Sequence, residues 1–466
     1  MLTISHSVRS DLQGGIKDGE NNLQFELKLS YQDSRMATPS ELSKSLKPFS
    51  ISNTVSCAGG PVLLRDGDTA YSDPSEAHTM IIGDTGSTKT LRFVQPLIRS
   101  CAYAGESMVV IDPKGTLYKE SKPILAKCGY EAVHVLDFRN PDKSPDCWNP
   151  LEPVAMAMRQ KTSGGKDLAF QRLADIIEVL FFRRQSEKAD PYWNEVAGQY
   201  ALGIGQSFVE SGSTELLTIG NIIKLRHNEN DLIKICKRLP TDSEAYNNII
   251  SVVAMEAEKT KGCILSTFDQ LTRLFMTSPC LTKMLSKQSF RMSQLGEKKT
   301  AIFVVIPDEK TTYHFLAQLF ISQCYAILLE AADRRNGRLK VRVNYILEEF
   351  CNIPKIEDIL PMMTTARSRN IRLHLVIQSY GQLLEKYGED SARAILDSCG
   401  NWIYLHTREY YFLKYISDIV GKDGHDRPLL STSKLQHLEK DETLILHDRC
   451  YPIVVKDVPL IFEYGK

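Results

Sequence analysis

Gly83-Asp84-Thr85-Gly86-Ser87-Thr88-Lys89-Thr90 is the segment with the most specific chemistry in this sequence. It follows the apolar run Thr79-Met80-Ile81-Ile82 and opens a helical stretch, Leu91 to Ala104. A strand–loop–helix of this kind turns its backbone N–H groups toward one point, where the helix N-terminus adds positive potential. The spacing and context are those of a phosphate-binding P-loop. Lys89 would reach the β- and γ-phosphates of ATP, and the Thr90 hydroxyl would face Mg2+. One position departs from the pattern: Thr88 stands where glycine is expected. A β-branched residue there is expected to narrow the cradle.

Hydrolysis at such a loop needs carboxylates on a second strand. Val343-Asn344-Tyr345-Ile346-Leu347 is an apolar run that ends in Glu348-Glu349. Glu348 would take the metal role, which Asp usually fills, and Glu349 the role of general base; a strand end with solvated acids is the alternative. Gln378 ends the run Leu375-Val376-Ile377 and would sense the γ-phosphate or orient water; a plain loop glutamine is the alternative. Arg367, Arg369 and Arg372 precede that run. One of the three, with Arg369 as first choice, would be an arginine finger on a neighbouring subunit's nucleotide, with DNA-phosphate contact or simple solvation as alternatives. Asp112-Pro113-Lys114-Gly115 would line the same crevice or form a simple turn. Arg334-Arg335-Asn336-Gly337-Arg338-Leu339-Lys340 and Arg183-Arg184 would touch a nucleic-acid backbone or lie solvated.

The elements that must position these groups are legible as texture. Short β-branched runs bounded by turn residues recur at Thr79–Ile82, Ser107–Ile111, Ala132–Leu136, Ala301–Ile306, Val343–Leu347, Leu373–Ile377 and Trp402–Leu405. Such runs suit strands buried on both faces of a parallel sheet. A C-terminal hairpin is expected from Thr443 to Val455, turning near Asp448-Arg449. Between about Met156 and Gln294 the apolar spacing is helical instead, as in Leu173, Ile176, Ile177 and Leu180. The expected organisation is a polar N-terminal arm with short strands over 1–75 and an α/β domain over 76–156 and 295–466. An all-α domain over 157–294 interrupts it.

Composition sets the outer bounds. The 466 residues hold 57 Lys and Arg against 57 Asp and Glu, so the net charge is zero. That excludes a uniformly basic nucleic-acid coat and leaves only local patches. A hydrophobic share of 42% excludes disorder over most of the chain. Eleven scattered cysteines without a C-x-x-C pair fit a reduced, cytosolic protein with no clustered zinc ligands. The opening Met1-Leu2-Thr3-Ile4-Ser5-His6 is no signal peptide. Phe315 to Ala332 is apolar but contains Gln318, Ser322, Gln323 and Glu330, so it is expected as a buried helix rather than a membrane span.

These residues, taken in order, resemble the type IV secretion coupling proteins, the conjugative DNA-transfer ATPases. The resemblance lies in Ser34-Arg35-Met36-Ala37-Thr38, Val110-Ile111-Asp112-Pro113-Lys114-Gly115, Trp148-Asn149-Pro150-Leu151 and Tyr192-Trp193 with Ala197. It continues through Glu348-Glu349-Phe350, Ser368-Arg369-Asn370-Ile371, Gln378-Ser379 and Tyr387-Gly388. It implies a RecA-like P-loop NTPase domain with a mostly parallel sheet, interrupted by an all-α domain. It further implies an ATP- and Mg2+-dependent hexamer that moves relaxase-bound single-stranded DNA, or a secreted protein substrate, to type IV secretion channel components. The expected location is cytoplasmic, or peripheral to the inner face of the bacterial membrane. Family members usually begin with transmembrane helices, and none is read in this sequence. A double-stranded DNA ring translocase and a non-hydrolysing adaptor with a degenerate P-loop are the rival expectations.

Overall fold

The structure, a computed structural model, describes residues 34–159, 164–182, 191–307 and 309–456. Much of the expected N-terminal arm, residues 1–33, and Arg183-Arg184 lie outside the described residues.

The first described element is a short helix, Pro39–Ser45, which the sequence reading did not anticipate. Its signal is local: Thr38 accepts from the Glu41 backbone, and Glu41 reaches back to the Thr38 N–H. Three short strands follow, β1 (Lys47–Ser50), β2 (Val62–Asp66) and β3 (Thr69–Ser72). They form a separate antiparallel sheet in the order β1-β3-β2.

The main sheet is built from β4 (Thr79–Gly83), β5 (Ser107–Asp112), β6 (Ala132–Asp137), β7 (Thr300–Val305), β8 (Val343–Leu347), β9 (Ile371–Ile377), β10 (Asn401–His406), β11 (Glu442–His447) and β12 (Ile453–Lys456). Their order is β12-β11-β10-β4-β9-β8-β5-β7-β6. Pairing from β10 across to β6 is parallel, and β11 and β12 add an antiparallel edge. Strands β4, β5, β7, β8 and β9 are buried along their whole length. That is why they read as unbroken apolar runs and not as alternation. The expected hairpin is β11–β12, with Arg449 at a positive φ of 60° in its turn.

Between β6 and β7 every described element is helical. The longest are Pro191–Glu210 and Glu258–Thr277. Trp148, fully buried, fastens this segment to the helix His314–Asp333: its indole N–H donates to Gln323 at 3.0 Å, and Gln323 donates to the Pro150 carbonyl at 2.7 Å.

The apolar helix His314–Asp333 explains its own polar residues in the same way. Gln318 donates to the Lys355 carbonyl at 2.6 Å, and Glu330 pairs with Arg172. The segment Thr311–Asp333 is long and apolar enough to cross a membrane by composition alone, and most of it is buried within the protein. Gln318, Gln323 and Glu330 are thus spent on neighbouring segments, as expected of a core helix.

Candidate nucleotide site

In a parallel sheet, loops at the carboxyl ends of the strands share one crevice. β4 ends there in the phosphate loop, β8 in the acid pair and β9 in Gln378.

The loop begins at Gly83 because nothing larger fits. A Cβ at Gly83 would stand 2.5 Å from Ser87 Oγ. Ser87 folds over it, donating to the Asp84 carbonyl at 2.6 Å. Gly86 takes a φ of 85°, and Thr88 takes 66°, the left-handed region that a β-branched residue rarely enters. Thr88 therefore reproduces the backbone that glycine would adopt. Its side chain is exposed, with the hydroxyl donating to the Ser87 carbonyl at 2.6 Å. Thr90–Val94 then forms a π-turn that runs into the helix Gln95–Tyr103.

The Lys89 ammonium is buried and donates to the carbonyls of Gly83 and Asp84, the latter at 3.0 Å. Burial pushes its pKa down, while Glu349, Asp84 and Glu348 pull it back up. The Thr90 hydroxyl donates to Glu348 Oε1. Glu348 is 9% exposed. Burial pushes its carboxyl up to about 7; the Thr90 bond opposes this, and the charges of Asp112 and Glu349 add to it. Glu349 sits at φ 54° and ψ 44°, so its left-handed backbone turns the chain sharply at the strand tip. Gln378 bridges the two halves of the crevice. It accepts from Thr85 Oγ1 at 3.1 Å and donates to Glu349 Oε2 at 2.7 Å.

Lys89, Thr90, Glu348, Glu349, Gln378 and the loop Gly83–Thr90 are thus brought together in one cleft. Arg369 is not among them. It lies just before β9, at the opposite end of the strand from Gln378, where it pairs with Asp333 at 3.1 Å. Arg372 is removed as a candidate for any finger or DNA contact. It is 1% exposed, paired with Glu106 and donating to Asn344 at 2.9 Å. Within the basic run, Arg338 pairs with Glu76 and Arg334 with Glu330.

Sequence reasoning missed two residues at the tip of β10. His406 Nδ1 lies 2.9 Å from Asp84 Oδ2, and its carbonyl accepts the Asp84 N–H at 3.0 Å. Glu409 accepts the N–H groups of Tyr380 and Gly381 at 2.8 and 2.9 Å, which caps the helix that follows Gln378. Only half of the signal was in the sequence: both are polar groups just past an apolar run, but that this run lies beside the strand carrying the phosphate loop is a property of the fold.

The group fits a magnesium nucleotide. Among the described residues no three His, Cys, Asp or Glu side chains cluster as a self-contained metal cage. One carboxylate beside one hydroxyl is the protein share of a Mg2+ site that takes its other oxygens from water and phosphate. The buried Oδ1 of Asp112, which has no partner, borders the same acid.

Comparison with known proteins agrees with this geometry. The chain is 22% identical over 383 residues to protein VirD4 of Agrobacterium fabrum, which covers 81% of this chain and 54% of VirD4. It is 22% identical over 421 residues to conjugal transfer protein TraG of the same organism, covering 83% of this chain and 60% of TraG. It therefore spans little more than half the length of these curated relatives. Among solved structures, the plasmid coupling protein TrwB in complex with the non-hydrolysable ATP analogue ADPNP superposes with a TM-score of 0.64. The match is at 13% identity over 91% of this chain and 92% of TrwB. TrwB in complex with ADP and Mg2+ superposes at 0.61 and 14% identity, over 93% and 94% of the two chains. These likenesses establish the fold, a RecA-like P-loop architecture carrying an all-α segment. The family model for type IV secretory system conjugative DNA transfer matches residues 32–443, and the chain belongs to that family.

Proposed function

We propose that this chain is a coupling ATPase of a conjugative or type IV secretion system. The observation that carries the reading is the convergence of Lys89, Thr90, Glu348, Glu349 and Gln378 at adjoining strand tips. The TrwB complexes with an ATP analogue and with ADP and Mg2+ support ATP and Mg2+ as ligands.

In this reading the amides of Gly83–Thr90 and the Lys89 ammonium hold the phosphates. Thr90 and Glu348 hold Mg2+, which when bound would offset phosphate charge. Glu349 takes a proton from the attacking water, and that water's oxygen bonds to the γ-phosphorus as ADP departs. Gln378 keeps the Glu349 carboxylate aimed and links it to Thr85 of the phosphate loop. Thr88 already holds the left-handed turn of the loop, which favours a working cradle over a non-hydrolysing adaptor.

Residues 76–156 and 295–466 form the motor, 157–294 engage the substrate, and 1–75 form an arm. The active form is a homo-hexamer in which Arg369 reaches a neighbour's nucleotide. The cargo is relaxase-bound single-stranded DNA or a secreted protein, passed to type IV channel components at the cytoplasmic face of the membrane.

The test is phosphate release from Mg·ATP across protein concentrations, with single- or double-stranded DNA. The rate per subunit should rise with concentration and with single-stranded DNA. A rate flat to both refutes the ring motor. Preference for duplex favours the double-stranded translocase, and nucleotide binding without release favours the adaptor.

A further inference from the structure

β5 ends at Asp112, which is fully buried. Asp112 Oδ2 accepts the Tyr118 N–H at 2.9 Å; burial pushes its carboxyl up, and the amides of Tyr118, Leu117, Gly115 and Lys114 work against that. Gly115 takes a φ of 70°, and a Cβ there would stand 3.3 Å from Val305 at the end of β7. Arg139 donates to the Pro113 carbonyl at 2.8 Å. The turn Asp112–Gly115 is thus fixed to β6, β7 and its own helix, yet Lys114 within it is exposed. Its ammonium has no ion pair or hydrogen bond among the described residues.

The sheet register says where this lysine stands. In the β5–β8 pair, Ile111 lies opposite Leu347, so the turn rises beside Glu348 and Glu349. The strand order β4-β9-β8-β5 puts the phosphate loop on one side of the acid pair and Lys114 on the other. The charge of Lys114 is felt at both Lys89 and Glu348. Two like charges flanking one cleft favour an anion between them. On the nucleotide reading above, a loop that held the inner phosphates from the β4 side would leave the terminal phosphate toward the acid pair and β5.

We propose that Lys114 is a second phosphate-binding residue, which contacts the terminal phosphate of a nucleoside triphosphate and lets the site distinguish it from a diphosphate. The role rests on the nucleotide reading above. A compact ammonium suits a single-point contact of this kind. A diphosphate, ending short of the turn, gains nothing from it.

Fluorescence titration with a labelled non-hydrolysable ATP analogue and with labelled ADP, in Mg2+, tests the role without turnover. A lost charge-assisted contact weakens binding by roughly tenfold or more. Lys114→Ala should lose about that much triphosphate affinity while diphosphate affinity stays within about twofold. Lys114→Arg should keep most of the preference, and Lys89→Ala should lose both ligands. Equal loss of the two ligands in Lys114→Ala, or no loss, overturns the role of Lys114 and leaves the nucleotide site standing. A parent chain that binds neither ligand overturns the nucleotide reading and this role with it.

Discussion

Thr88 holds a φ of 66° within the phosphate loop, and that backbone has a cost. The left-handed region costs a non-glycine residue roughly 1–2 kcal/mol, while glycine gives back about 0.5–1 kcal/mol in unfolded-chain entropy. Thr88→Gly is therefore expected to raise stability by roughly 0.5–1 kcal/mol in urea denaturation, with nucleotide binding retained. A drop in stability would contradict the strain. Most of the site was legible at this scale because its residues are chemically specific: Lys89, Thr90, Glu348, Glu349 and Gln378 meet as their types suggested. The arginines were not legible. Sequence gives a guanidinium its charge but not its partner, and Arg372 proved to belong to a buried pair with Glu106.

At the scale of elements, the strand tips act through one another. Gln378 ties the β4 loop to the β8 acid, so Gln378→Ala should lower kcat about a hundredfold while nucleotide affinity changes little. Steady-state kinetics beside a binding titration would show it; a loss confined to affinity would contradict it. Glu409 fixes the helix after Gln378 through two amides. Glu409→Ala should cost about 1–2 kcal/mol and speed hydrogen exchange at Tyr380 and Gly381; unchanged exchange there would remove the cap from the account. Strand texture was clearest in β4, β5, β7, β8 and β9, because burial on both faces writes an unbroken apolar run, and a hairpin signal marked β11 and β12. It could not show that β10 lies beside β4, since that neighbour is far away in sequence. For the same reason His406 and Glu409 escaped notice.

At the scale of the whole molecule, the lower end of the sheet is held by buried neutral imidazoles. His78 accepts the Leu373 N–H at 3.0 Å and lies 2.8 Å from the Met363 carbonyl. Burial pushes it down to about 4 from the ordinary 6.5, with Arg367 and Arg372 adding to the effect. The unfolded chain then binds a proton that the folded chain refuses, so this contribution is present above pH 6.5 and lost as pH falls toward 4. Subtracting a His78→Gln variant should show a difference of about one proton in the pH slope of stability over that window. Parallel slopes would contradict it.

The central claim joins the scales: β4, β8 and β9 form one hydrolytic cleft. Phosphate release from Mg·ATP by the parent and by Glu349→Gln, at equal nucleotide occupancy, tests it most directly. The account predicts release by the parent and a fall of about a hundredfold or more in the variant. Equal release by both would contradict it.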